Sequence, residues 1–285
     1  VWNYGTGLGV VDAGTSQQEI SACVANWQDL SASIVFDTST QLLLNPVGVS
    51  VHGDRVYVAE VGGHRISVFD RSGTLIESFG QRGTLDQIGA FFERPYSVDV
   101  AEDGTIYVVD TWNYRIRSFS PDGEAQAIWG SPLTVGINAP QEPVDGFWGP
   151  RDVALDPAGN VYVADTGNKR IRVYSPQGQW LRDIGAGGSA AGQLDEPSGL
   201  AIHPDGRLYI ADTWNRRVSV FSTEGVYITN FPVRAWYEDL GNRPYIAIDA
   251  ERDYLYVTDP DAGRVLVYTT SGECVGAFGR PNRDN

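Results

Sequence analysis

Short runs in which every second position is apolar recur along this chain, and glycine-containing turns separate them. A hydrophobic period of two predicts strands that show one face to a core and the other to solvent. The runs come in sets of four. The first follows a proline ("YSVDV", 96–100; "RDVAL", 151–155; "SGLAI", 198–202), and the second is a "VYVAD" type of run. The third is of the "RIRVY" type, and the fourth ends on glycine ("GTLIESFG", 73–80; "GQWLRDIG", 178–185; "GECVGAFG", 272–279). Turn pairs such as Ser72-Gly73, Asp103-Gly104, Asp122-Gly123, Ala158-Gly159 and Asp205-Gly206 fall between them, as tight hairpins require.

This four-strand unit repeats. Residues 55–69, 105–119, 160–174, 207–221 and 254–268 align on one another, each after a proline (Pro46, Pro95, Pro150, Pro197, Pro244). Successive prolines lie 47 to 55 residues apart. A degenerate further copy, "CVANWQDLSASIVFD" (23–37), aligns without a gap on 56–70. A four-stranded sheet repeated at this period predicts an all-β, six-bladed propeller of antiparallel blades with a degenerate N-terminal blade. The expected boundaries of this single domain, residues 1–285, are 1–45, 46–94, 95–149, 150–196, 197–243 and 244–285. Because 10–44 can supply four strands, the phase predicts no strand exchange between the termini. Closure would then rest on face packing of the outer blades, with 1–5 as a further edge strand.

The second strand closes on Asp110, Asp165, Asp212 or Asp259, and the third opens five residues later on Arg115, Arg170, Arg217 or Arg264. Asn113, Asn168 and Asn215 lie between them. An Asp–Arg pair could be catalytic, but a residue needed once for chemistry would not recur in every blade. These columns therefore read as structure, with the pair closing the turn and the Asn tolerating unusual φ. Proline, the [IVL]-Tyr-[VI]-x-Asp run, Thr-x-Asn-x-Arg and the closing [FIW]-Gly together resemble the NHL repeat. That resemblance implies six units per propeller, and its bacterial relatives imply an extracytoplasmic domain.

Function is expected where the units differ. Strand 2–3 turns share a face, here called the top, with the inter-blade loops 81–94, 131–149, 186–196 and 233–243. The expected binding residues on that face are Phe92, Arg94, Tyr96, Trp112, Trp148, Arg151, Trp214, Trp236, Tyr237 and Tyr245, with Arg243 also beside the aromatic residues and with Tyr96, Arg151 and Tyr245 rimming the channel. The bland alternative is that loop aromatics, Phe91 and Phe147 included, fold down to plug the channel mouth. Trp112 and Trp214 favour binding, since the equivalent position in the next unit is Gly167.

Composition narrows the classes. A net charge of −15 repels phosphate backbones, so no nucleic-acid partner is expected. His52, His64 and His203 form no local metal spacing, and no GxSxG elbow occurs, so no catalytic or metal residues are assigned and an enzyme is not expected. Calcium at "DPDAG" (259–263) is the one cofactor the residues leave open. Cys23 and Cys274 leave both a disulfide and two buried thiols open; a disulfide would staple the first blade to the last. No apolar run is long enough to span a membrane, so membrane association is expected only through a partner or a missing part of the precursor. With no Met anywhere, the chain reads as a processed or excised piece of a longer protein. The expected function is a non-catalytic, extracytoplasmic interaction module with a protein partner. Carbohydrate binding by top-face tryptophans is the alternative, and a metal-dependent lyase or hydrolase stands third.

Overall fold

The computed structural model describes residues 27–28, 43–84, 87, 89–130, 146–236 and 243–279. Among them the strands form five blades, each a meander of four antiparallel strands. In blade I the strands are Pro46–His52, Arg55–Glu60, Arg65–Asp70 and Leu75–Phe79. Blade II runs from Pro95–Val100 to Ala125–Trp129, blade III from Val153–Leu155 to Trp180–Ile184, and blade IV from Pro197–Ile202 to Tyr227–Pro232. Blade V comprises Ile246–Asp249, Tyr254–Asp259, Arg264–Thr269 and Cys274–Gly279.

The expected sixth, N-terminal blade is corrected by this count of five. Of that unit, residues 27–28 and 43–45 are described, and Trp27 and Gln28 are the two that form a strand. They pair in parallel with Ala277 and Phe278, adding a fifth strand outside blade V. The N-terminal region thus does attach to the last blade, against the expectation of no exchange; residues 1–5 and most of 10–44 lie outside the described residues. The cause is legible in retrospect. The degenerate copy lacks the opening proline, the Asp–Arg pair and the glycines that fix each hairpin elsewhere. Cys274, on the outermost of blade V's own strands, is disulfide-bonded, so the free-thiol reading is set aside. Cys23, the other cysteine, lies outside the described residues.

Four apolar clusters sit between successive blades rather than inside one central core. Middle strands are therefore covered on both faces: Ile106–Asp110 and Val161–Asp165 are buried at every position. Alternation survives in the outer strands, as in Trp180–Ile184, where only Ile184 is fully buried. In all five blades the third strand carries a bulge just before its aromatic residue, at Phe69, Phe119, Tyr174, Phe221 and Tyr268. A bulge at a fixed place re-aims one side chain and increases local twist, which blades packed face to face require. Among the described residues no helix is long and apolar enough to cross a membrane.

Polar rivets join the inner strands across blades. Asp99 accepts from the Ser50 hydroxyl of blade I at 2.8 Å and from the Leu155 amide of blade III at 3.0 Å. Asp152 accepts from the Ser97 hydroxyl at 2.6 Å and the Leu200 amide at 2.7 Å, and so ties blades II, III and IV. These strands line an axial cavity of about 760 Å³ whose walls include Val49, Val98, Leu155, Leu200 and Ile248.

Candidate functional site

The top face is built by the repeated turn. In blade II, Asp110 Oδ2 accepts from Arg115 Nε at 2.7 Å and from Asn113 Nδ2 at 2.9 Å, while Oδ1 accepts the Glu93 amide at 2.7 Å. Asp165 does the same with Arg170, Asn168 and the Trp148 amide, and Asp212 with Arg217, Asn215 and the Asp195 amide. The carboxylate thus bolts the incoming inter-blade loop to the hairpin. Blade I keeps the device with Glu60, which pairs with Arg65 at 2.8 Å and accepts the Leu44 amide. In blade V, Asp259 is engaged by Arg264 at 2.6 Å, so the carboxylate first considered for calcium already holds a cation. Sequence reasoning gave the unusual φ to the Asn; it belongs to the next residue instead. Tyr114, Lys169 and Arg216 lie at φ 51°, 56° and 53°, and the Asn spends its amide on the Asp.

Four pre-proline residues, Asn45, Arg94, Gly149 and Glu196, are also left-handed, at φ 49° to 55°. A left-handed residue there turns the loop sharply into the inner strand. It leaves Arg94 exposed at the rim, its amide donating to His64 Nδ1 at 3.2 Å.

The candidate binding residues divide. Phe92 and Trp236 are fully buried, and so is Phe147; each plugs the gap between two blades, as Leu194 does between blades III and IV. Phe92 and Trp236 are therefore corrected from binding surface to packing. The signal was present in the sequence: Phe92, Phe147 and Leu194 each stand three residues before a proline. The glycine ending each fourth strand makes room for the plug. A Cβ on Gly80 or Gly130, both at positive φ, would come within 2.6 Å of Phe92 or 2.7 Å of Phe147. Gly167 carries the same lesson, since its Cβ would meet the Trp148 ring at 1.6 Å. That position holds glycine because a neighbouring tryptophan fills the space, not because the column is free. Tyr237 lies outside the described residues.

What remains forms one cluster at the channel mouth. The Arg151 guanidinium lies 4.2 Å over the Tyr96 ring and 5.5 Å from the Trp112 ring. Trp112 is 41% exposed and meets Tyr114 edge-on, and Tyr114 stacks on Trp148 with centroids 5.5 Å apart. The Tyr245 hydroxyl approaches the carbonyl oxygens of Tyr96 and Arg151 at 3.3 and 3.4 Å, which places blade V against blades II and III. Burial raises its pKa well above the usual phenol value, with Asp152 acting in the same direction, so it stays a neutral donor. Trp214 occupies the place in blade IV that Trp112 holds in blade II and is half-buried. Tyr114 and Glu196 were absent from the sequence-based set. Arg243 has Nη2 3.9 Å from Glu196 Oε2, and burial, then Arg151, holds its pKa below the ordinary value. Burial raises the Glu196 carboxyl, with Arg243 opposing.

Beneath this mouth the Asp152 carboxyl is pushed up to about 7 by burial, against hydrogen bonds from Ser97 and from the Leu200 and Val153 amides. Unlike Asp110, it draws no stabilisation from a cation among its leading interactions. Because the folded state keeps this proton where the unfolded chain releases it, near pH 4, stability falls as pH rises from about 4 to about 7 and levels off above. Asp152→Asn should lose stability at every pH, through the Leu200 amide, yet show a flatter decline of Tm between pH 4.5 and 7.5. Melts with identical slopes for both proteins would refute the assignment.

Among the described residues no three of His, Cys, Asp and Glu gather around a metal-sized site. The NHL repeat pattern matches residues 147–174 and 194–221, which contain the turns and flanking strands of blades III and IV. Human NHL repeat-containing protein 3 is 32% identical over 144 residues, which is 46% of this chain and 39% of that protein's length. Among solved structures, virginiamycin B lyase from Staphylococcus aureus superposes with a TM-score of 0.58 at 17% identity, covering 86% of this chain and 73% of its own. A nidogen/laminin complex gives 0.59 at 16% identity, covering 83% and 85%. At such identities these neighbours share the fold alone. The NHL repeat pattern thus covers parts of blades III and IV, with Trp148, Arg151, Glu196 and Trp214 of the mouth among the matched residues, and the chain is a β-propeller that resembles NHL-repeat proteins.

Proposed function

We propose that this propeller is a non-catalytic, extracytoplasmic interaction module that holds a protein partner on its top face, centred on Tyr96, Trp112 and Arg151. The observation that carries the reading is Trp112. Phe92, Phe147 and Trp236 are consumed by packing, whereas Trp112 stays 41% exposed beside a cation. A large aromatic residue on such a rim is the usual anchor of an interface hot spot. NHL-repeat propellers commonly mediate protein interactions, and one fold neighbour comes from a protein complex, nidogen with laminin. The disulfide at Cys274 supports an oxidising compartment.

Peptides selected on the purified domain from a random display library are expected to lose about tenfold or more in affinity on Trp112→Ala, with a smaller loss on Trp214→Ala. The variant should melt within a few degrees of the parent, since the residue is already 41% exposed. Selected peptides indifferent to Trp112→Ala would refute the top-face assignment. Retention on a glycan array with no peptide binder would turn the reading to carbohydrate.

A further inference from the structure

Arg151 is a guanidinium without an acceptor. Only 9% of the residue is exposed, its Nε and Nη1 are buried without a hydrogen-bond partner, and it makes no ion pair among the described residues. Trp214 Nε1, on the same face, is likewise buried and unpartnered. A buried polar group left unpaired costs on the order of 1–3 kcal/mol, and more when it is charged. The repeat does not require that cost, because the Arg151 position is Tyr96, Ser198 and Tyr245 in neighbouring units. Two of those residues satisfy themselves: Ser198 donates to the Pro244 carbonyl, and Tyr245 reaches two carbonyls.

Resting on the top-face reading above, we propose that Arg151, with Arg243 beside it, receives a carboxylate of the bound peptide. The charges select the ligand. Arg151 and Arg243 face Glu196 across the mouth, and the nearby Lys169 and Asp195 neutralise one another at 2.8 Å. Arg151 itself has no carboxylate partner among the described residues, and a single guanidinium suits a monoanion. A phosphate dianion would bring an excess negative charge beside Glu196 in a protein of net charge −15. The unpartnered atoms of Arg151 and Trp214 are donors, so the ligand must supply acceptors, and a carboxylate offers two oxygens to the guanidinium fork. Tyr96 and Trp112 flank the guanidinium with ring faces, which favours a carboxylate next to an apolar or aromatic group. Trp112, the more exposed of the two covers, is the one that can move aside. The carboxylate has two sources, a chain terminus or an Asp/Glu side chain, and both present the same group.

The test watches the arginine Nε–Hε signals of the ¹⁵N-labelled protein by NMR during titration with small probes. N-acetylphenylalanine stands for a chain terminus, and N-acetylglutamate α-amide for an acidic side chain. N-acetylphenylalaninamide and inorganic phosphate are the controls. One of the two carboxylates should shift the Arg151 Nε–Hε signal saturably, and the stronger identifies the source. The amide should bind about tenfold more weakly or not at all. Arg151→Gln should weaken the preferred carboxylate about tenfold or more, with Tm nearly unchanged because no hydrogen bond is lost. Equal binding of acid and amide, preferential binding of phosphate, or a carboxylate affinity unaffected by Arg151→Gln would each overturn the proposal. Peptides sensitive to Trp112→Ala but indifferent to Arg151→Gln would sink this inference and leave the interaction module standing; peptides indifferent to both would sink the module.

Discussion

Replacing Asp110 with alanine is expected to destabilise the propeller by about 3–5 kcal/mol, the range for removing one partner of a buried ion pair. Arg115 is 1% exposed and lies against Asp110 at 2.7 Å. Without the carboxylate it becomes a buried cation that has lost its counter-charge and still donates to the Phe91 carbonyl at 2.9 Å. The Glu93 amide loses its acceptor at the same stroke, and Asn113 Nδ2 keeps the Gly83 carbonyl but loses the carboxylate. The comparison that isolates burial is Asp259→Ala in blade V. There the Arg264 side chain is 16% exposed and water can take over, so the loss should be roughly half as large. Urea denaturation of both variants checks this. An Asp110→Ala loss below about 1 kcal/mol, or one equal to that of Asp259→Ala, would show that the column contributes no buried electrostatic term. Asp110→Ala combined with Arg115→Met should recover much of the loss, because Arg115 is then no longer left as a buried cation without its carboxylate.

The same columns explain how far the chain could be read in advance. Proline, Asp, Arg and glycine recur because each fixes a backbone event: the entry to the inner strand, the bolt on the loop, and the space for a plug. Five blades follow from them. A gapless alignment of residues 23–37 placed Trp27 at the level of Glu60, where a hairpin should turn. With no proline, Asp–Arg pair or glycine to hold that turn, Trp27 and Gln28 instead take the free edge of Cys274–Gly279. Hydrophobic alternation detected the strands but misjudged their surroundings. Blades stacked face to face bury both sides of Val161–Asp165, and period two cannot express that.

The mouth cluster was harder to read because aromatic side chains serve two opposite ends on the same loops. Trp112 and Trp236 look alike in sequence, and only packing separates them. Glu196 escaped the binding set because nothing local pairs it with Arg243: the two stand at the ends of different inter-blade loops, 47 residues apart. Tyr114 escaped because it sits at the variable place of Asn-x-Arg, where blade III has Lys169 and blade IV Arg216. Its left-handed φ of 51° turns the ring beneath Trp148.

Trp236 is where the two uses of an aromatic loop residue can be told apart most sharply. It has no exposed surface, packs among Val218, Phe231, Leu255 and Val257 between blades IV and V, and donates from Nε1 to the Thr258 carbonyl at 2.9 Å. Trp236→Ala should therefore cost about 3–5 kcal/mol, the range for emptying a large buried aromatic site. It should also leave the Thr258 carbonyl without that donor. Trp112→Ala, by contrast, should cost less than about 1 kcal/mol, since its ring is already half in water. Binding should separate in the opposite sense. At a temperature where the Trp236→Ala protein is still folded, its affinity for display-selected peptides should match the parent within about twofold, while Trp112→Ala loses most of it. Chemical denaturation paired with fluorescence anisotropy on both variants gives the four numbers. If Trp236→Ala kept its stability and lost its ligand, the plug would be a contact residue and the mouth would extend over blades IV and V. If it lost stability alone, the seam between those blades would depend on a side chain the ligand never meets, and recognition would be confined to the strip from Trp148 through Tyr114 and Trp112 to Arg151.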